Sequence, residues 1–185
     1  MKNTKKQIII IKTFIPLLLI SLTLLISLST VSANEIYVNT TGNDTSGTGT
    51  ADNPYLTIQT GINNLDSDGT IRIANGQYSG VNNTEITIDK NMTIIGESQI
   101  GTIINGTGNN WIYNIGEGVN VTIQNLTLTN GMGYLMDGLY YSGCVNNKGT
   151  CTLVNCTLSD NTAQMGGAIK NWYQGTCTVT GCTFT

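Results

Sequence analysis

The sequence predicts an all-β fold, a right-handed parallel β-helix with a short N-terminal capping helix, and three observations carry that reading. Two late segments, Gly149-Thr-Cys-Thr-Leu-Val-Asn-Cys-Thr-Leu and Gly175-Thr-Cys-Thr-Val-Thr-Gly-Cys-Thr-Phe, write one pattern twice at an offset of 26 residues. A cysteine-free copy stands upstream as Asn120-Val-Thr-Ile-Gln-Asn-Leu-Thr-Leu-Thr, with Val121 and Leu126 in the places of Cys151 and Cys156. Between these copies the apolar residues alternate with polar ones in runs of four or five, the period of a strand with one buried face. A β-rich unit recurring at this interval is the mark of a stacked solenoid. An antiparallel sandwich explains the alternation but leaves the constant offset of both cysteines without a cause.

The elements follow in order. Residues 1–33 differ from the rest: Lys2, Lys5, Lys6 and Lys12 lead into an apolar run from Phe14 to Leu28, followed by Val31-Ser32-Ala33. A basic start, an apolar stretch and a small-x-small end predict a secretory leader cleaved after Ala33. The alternative is a retained membrane anchor, although Lys12 and Pro16 interrupt the run. Residues 34–69 form an N-terminal cap in this reading. Glu35-Ile-Tyr-Val-Asn reads as a strand, and the polar stretch 40–52 as a loop. Asn53 and Pro54 fit a helix N-cap and first helical residue, and Tyr55, Ile58, Ile62 and Leu65 fall on one helical face, so a helix is expected over 53–65, weakened by Gly61.

Coils are expected over 70–185. Ile71 and Ile73, then Ile86 and Ile88, alternate with polar residues, and Ile94, Ile123, Leu153 and Val179 anchor successive rounds. Each strand would pair in parallel with its counterpart one round earlier, with the right-handed crossover that parallel connections adopt. No helix-length segment separates the strands, which excludes a sheet built of strand–helix–strand units. The chain stops at Thr185 in the middle of a repeat, so further coils are expected downstream.

Composition narrows the function. Past residue 33 only Arg72, Lys90, Lys148 and Lys170 stand against eleven acids, a net charge of −7, and histidine is absent from the whole chain. A nucleic-acid partner would need a basic stripe that this composition lacks.

With these residues in view, the unit 151–169, ending in Gly166-Gly-Ala-Ile, resembles the repeat of polymorphic outer-membrane proteins. The Phe-x-x-Asn element of that repeat is matched in part by Leu158-Ser-Asp-Asn and by Phe184. The front, from Ile36 through Asn53-Pro-Tyr-Leu-Thr-Ile-Gln to Gly69-Thr-Ile-Arg-Ile-Ala-Asn-Gly-Gln-Tyr, is similar to the N-terminal module of pectate-lyase-like surface proteins. Together with the leader, the chain resembles the adhesin-like proteins of methanogenic archaea. That resemblance implies a secreted, cell-surface β-helix that meets a glycan or protein of another cell.

Candidate site residues remain. Tyr134, Tyr140 and Tyr141 lie in the longest inserted loop, where exposed rings would contact a sugar or protein partner. Trp111, Tyr113, Trp172 and Tyr173 are further aromatics in the coils. Cys151, Cys156, Cys177 and Cys182 occupy inward positions and form either a buried thiol ladder or the bridges Cys151–Cys177 and Cys156–Cys182, with Cys144 left over. No metal site is expected of them. Asp44, Asp52, Asp66 and Asp68 are oxygen donors that could take Ca²⁺, but Asp66-Ser-Asp-Gly lacks the remaining ligands of a calcium loop and reads rather as a turn leading into a strand, so no cofactor is expected. Asn125 and Asn155 hold an equivalent turn, with Gly181 in their place in the last copy. The central acids Glu117, Asp137 and Asp160 share no equivalent position, so a catalytic constellation is not expected. The alternatives to an adhesin are a pectate-lyase-like carbohydrate-active enzyme, with its catalytic coils downstream, and a glycan-binding module.

Overall fold

The computed structural model describes residues 34–185; the leader expected over residues 1–33, with cleavage after Ala33, lies outside the described residues. The described chain is a parallel β-helix with three sheets running along it. The first sheet stacks β1 (Glu35–Val38), β2 (Gly69–Ile73), β5 (Met92–Gly96), β8 (Asn120–Gln124), β13 (Thr150–Val154) and β16 (Thr176–Thr180). The second stacks β4 (Ile86–Ile88), β7 (Tyr113–Ile115), β12 (Val145–Asn147) and β15 (Ile169–Asn171). The third stacks β3 (Gly76–Ser79), β6 (Thr102–Asn105), β9 (Thr127–Thr129), β14 (Thr157–Ser159) and β17 (Thr183–Phe184). Every pairing within the three sheets is parallel, which rules out the sandwich.

The register is the one the repeat predicts. Ile71 pairs with Ile94, Ile94 with Ile123, Ile123 with Leu153 and Leu153 with Val179, so one inward row of branched apolar side chains runs through five coils. The neighbouring inward row is Met92, Val121, Cys151, Cys177. Each inward Ile or Leu that is fully removed from water contributes about 1.5–3 kcal/mol, and stacking like on like keeps the interior dense along the axis. The outward row of the same strands is Thr70, Thr93, Thr122, Thr152 and Thr178, branched residues suited to a pleated, solvated face.

The turns between the first and third sheets explain the asparagines. Asn125 and Asn155 have φ of 53° and 51°, and Gly181 has 63°. This left-handed geometry is open to glycine and tolerated by asparagine, so one position in three successive coils carries only those residues.

The capping helix differs from expectation. Its bounds are Ile58–Asn63 (α1), with Thr57 as N-cap, so Asn53 and Pro54 do not start it. Residues 53–55 are instead held extended against β1: the Tyr55 N–H donates to the Tyr37 carbonyl and the Asn39 N–H to the Tyr55 carbonyl. The helix begins where Asp44, reaching over from the loop, accepts from the Leu56 N–H (2.8 Å), the Thr57 N–H (3.0 Å) and the Thr57 hydroxyl (2.7 Å). Ile58, Ile62 and Leu65 are buried, and the helix packs on β1 and β2. Gly61 is needed for that packing, because a Cβ there would sit 2.9 Å from Val38 Cγ2. Lys90 closes the far end by donating to the Leu65 carbonyl at 2.7 Å.

Candidate ligand-binding face

The second sheet presents a different outer surface from the threonine face of the first. Its outward row is Thr87, Asn114, Asn146 and Lys170, a hydroxyl, two amides and a cation placed in register by strand pairing. The Asn146 amide donates to Asn114 Oδ1 at 2.6 Å and accepts from the Trp172 indole N–H. Trp172, just past β15, is thereby pinned over the sheet with its one polar atom satisfied.

Over this row folds a hairpin that, among the described residues, only one coil carries, β10 (Tyr134–Met136) and β11 (Leu139–Tyr141), antiparallel with Tyr134 opposite Tyr141. Asp137 and Gly138 form its two-residue turn with φ of 51° and 79°, both positive as a type I′ turn requires. Because side chains alternate across a strand, Tyr134, Met136 and Tyr141 share one hairpin face, and Leu135 and Tyr140 take the other. The Tyr134 and Tyr141 rings stack at 6.0 Å between centroids, and Tyr141 stacks on Trp172 at 5.8 Å, with planes 16° apart. Three aromatic rings thus form one continuous platform. Partial burial first, and the adjacent Tyr141 second, push the Tyr134 phenol above its ordinary value, so it stays protonated and able to donate.

Two cations converge on the platform. The Lys170 ammonium lies 5.0 Å from the Trp172 ring centre and 5.5 Å from that of Tyr141, and Lys148 lies 5.6 Å from Trp172. The other two basic residues of the described part are engaged elsewhere: Arg72 pairs with Glu35 at 2.6 Å, and Lys90 holds Leu65. Two recesses open beside the platform. One, of ≈ 280 Å³, lies between Trp111, Tyr134 and Met136 over Asn114 and Asn146, with Lys148 on its rim. The other, of ≈ 310 Å³, is bounded by Trp172, Tyr173, Glu117 and the same Lys148.

Of the three tyrosines expected to act together, the structure joins Tyr134 and Tyr141 and separates Tyr140, which points away across the hairpin. Tyr113 is wholly buried in the interior, and its hydroxyl finds no partner among the described residues. Trp172, Lys148, Lys170 and the two asparagines are members that sequence reasoning did not assign. The Asp-Gly pair between alternating residues was a legible hairpin signal; the approach of Trp172 was not.

The cysteines sit in the interior. Cys144, Cys151 and Cys156 are fully buried, Cys177 and Cys182 half-buried, and in the structure all five are free thiols. Cys151 and Cys177 are direct register partners, and the Cys156 N–H donates to Cys182 Sγ at 3.3 Å. A thiol hydrogen bond from Cys151 holds Cys177 down to about 7, against a smaller upward push from burial, while the same contact and burial drive Cys151 upward. The N-terminal acids are dispersed. Asp44 is committed to the helix cap; Asp66 and Asp68 lie in a backbone turn closed by the Gly69 N–H on the Asp66 carbonyl. Among the described residues no three Cys, Asp or Glu side chains converge as metal ligands, and no helix is long and apolar enough to cross a membrane. No family model, no curated protein and no solved structure matches this chain.

Proposed function

We propose that the chain is an adhesin-like module of a cell surface, a stiff β-helical rod whose second-sheet face engages a glycan of another surface. The observation that supports this is the convergence of Tyr134, Tyr141 and Trp172 with two lysines over a row of amides. Flat rings bind the apolar faces of sugar rings, while amides and ammonium groups meet their hydroxyls. The rings are already ordered by stacking and by the indole hydrogen bond, so little side-chain freedom remains to be lost on binding. Export through the basic and apolar leader belongs to the same reading. The fold itself is neutral between adhesins, enzymes and stalks, so the case rests on the face.

A glycan array and an adhesion assay on whole cells test it. Replacing Tyr134 and Tyr141 together by Ala is expected to weaken binding at least about tenfold, the loss typical of central aromatic anchors. Tyr140→Ala, on the other side of the hairpin, is expected to change nothing. Equal binding by the double variant and the parent would overturn the assignment of this face. Adhesion to cells with no glycan retained on the array would give the face to a protein partner.

A further inference from the structure

We infer that this face takes an acidic oligosaccharide, with the anionic group held by Lys148 at the junction of the two aromatic recesses. The inference rests on the glycan reading above and narrows it to one chemical class. Its first support is the distribution of charge. The described part of the chain holds four basic residues against eleven acids. Two of the four are engaged by Glu35 and the Leu65 carbonyl, and the remaining two both lie against Trp172. Among the described residues the one ion pair is Arg72 with Glu35, so neither Lys148 nor Lys170 is neutralised by a carboxylate at contact distance. In so acidic a described chain, two ammonium groups beside one indole, neither at contact distance from a carboxylate, concentrate positive charge at this face.

The second support is position. Lys148 is the one side chain common to both recesses. A sugar resting between Trp111 and Tyr134 and a second one resting on Trp172 and Tyr173 would place the linkage between them, and any acidic substituent near it, within reach of the Lys148 ammonium. Each recess is at the small end of ligand pockets, suited to a single sugar unit rather than a long segment of chain. Glu117 borders the second recess and faces the same ligand. It accepts a sugar hydroxyl and repels an anion, so the acidic substituent belongs on the Lys148 side. A lysine ammonium is a compact point charge that serves a carboxylate or a sulfate equally, and the test separates the two.

Three octasaccharides serve as probes by isothermal titration on the secreted chain. Hyaluronan carries carboxylates, carboxyl-reduced hyaluronan carries no charge, and keratan sulfate carries sulfates alone. We expect at least one charged probe to bind about tenfold or more tightly than the neutral one, as a single charge-assisted hydrogen bond provides. That preference should shrink as salt is raised. Whichever charged probe is preferred identifies the anion. Lys148→Gln is expected to remove most of the charged-over-neutral ratio, and Lys170→Gln, read in parallel, a smaller part; circular dichroism confirms that both variants keep the β-helix. Equal affinity for charged and neutral probes, or a ratio that survives both substitutions, overturns the inference while leaving the glycan reading in place. Failure of all three probes to bind overturns the inference, while the glycan reading stands or falls on the array.

Discussion

Cys151 and Cys177 show how a single substitution pattern changes chemistry along one row. In the copies upstream the same inward places hold Met92 and Val121, plain apolar filling. Two thiols in register behave differently, because one donates a hydrogen bond to the other. The recipient, Cys177, is half-buried and held near 7, and Cys151, Cys144 and Cys156 are enclosed and pushed upward. Reactivity follows the thiolate and its access. Iodoacetamide at neutral pH is therefore expected to label Cys177 well before Cys144 and Cys151, with the rate falling as pH drops below about 7; peptide mapping by mass spectrometry reads the order. Labelling of Cys144 at the same rate would mean that the interior opens freely. Tyr113 makes the complementary case of a buried hydroxyl with no partner among the described residues. Phenylalanine in its place removes the unpaired group without a cavity, so Tyr113→Phe is expected to raise stability by about 1 kcal/mol, measured by thermal or urea unfolding.

The capping helix shows what an element owes to groups outside it. Six residues are too few to hold a helix by propensity alone. Asp44 supplies the start, across a loop that sequence inspection leaves structureless. Partial burial acts to raise its carboxyl, but the hydrogen bonds from the Thr57 hydroxyl, the Thr57 N–H and the Leu56 N–H outweigh it and hold the carboxyl below its ordinary value. A depressed carboxyl stabilises the fold above the pKa of the unfolded chain, and that contribution fades as pH falls through the folded value. The cap is thus expected to loosen in acid, from around the ordinary carboxylate value of 3.8 downward, seen as faster amide exchange over Ile58–Asn63. Asp44→Ala is expected to cost about 1–2 kcal/mol at neutral pH, within the range of lost N-cap interactions, and to abolish the acid-dependent part. An unchanged exchange profile in that variant would show that Asp44 is incidental to the helix. The hairpin β10–β11 is a second element decided by a few residues. Asp137 and Gly138 both adopt left-handed geometry there, so a β-branched residue at Gly138 would disturb the turn and, with it, the stacking of Tyr134 on Tyr141.

At the scale of the molecule the β-helix is a one-dimensional stack in which each coil rests on its neighbours. Central strands such as β5 and β8 are paired on both sides, whereas β16 and β17 are paired on one and leave Val179 and Phe184 about half exposed. Amide exchange on the 185-residue polypeptide is expected to follow that order, with Thr176–Thr180 exchanging sooner than Met92–Gly96. Uniform protection along the stack would instead mean that it opens only as a whole. The same stacking logic accounts for what could be read from the residues. The rows Ile71, Ile94, Ile123, Leu153, Val179 and Met92, Val121, Cys151, Cys177 were legible because a parallel ladder repeats an inward position once per coil. A one-residue slip would turn every inward side chain outward. The left-handed turn at Asn125, Asn155 and Gly181 was legible for a similar reason, since few residues tolerate that backbone. Local periodicity and backbone chemistry thus suffice for the fold class, the coil register and the inward face. The start of the helix, the separation of Tyr140 from Tyr134 and Tyr141, and the platform with Trp172, Lys148 and Lys170 required the folded chain. Asp44 caps a helix 13 residues away, and Tyr141 meets a tryptophan of the following coil. Such meetings depend on how loops of different coils fold over one sheet, and no repeat period encodes that.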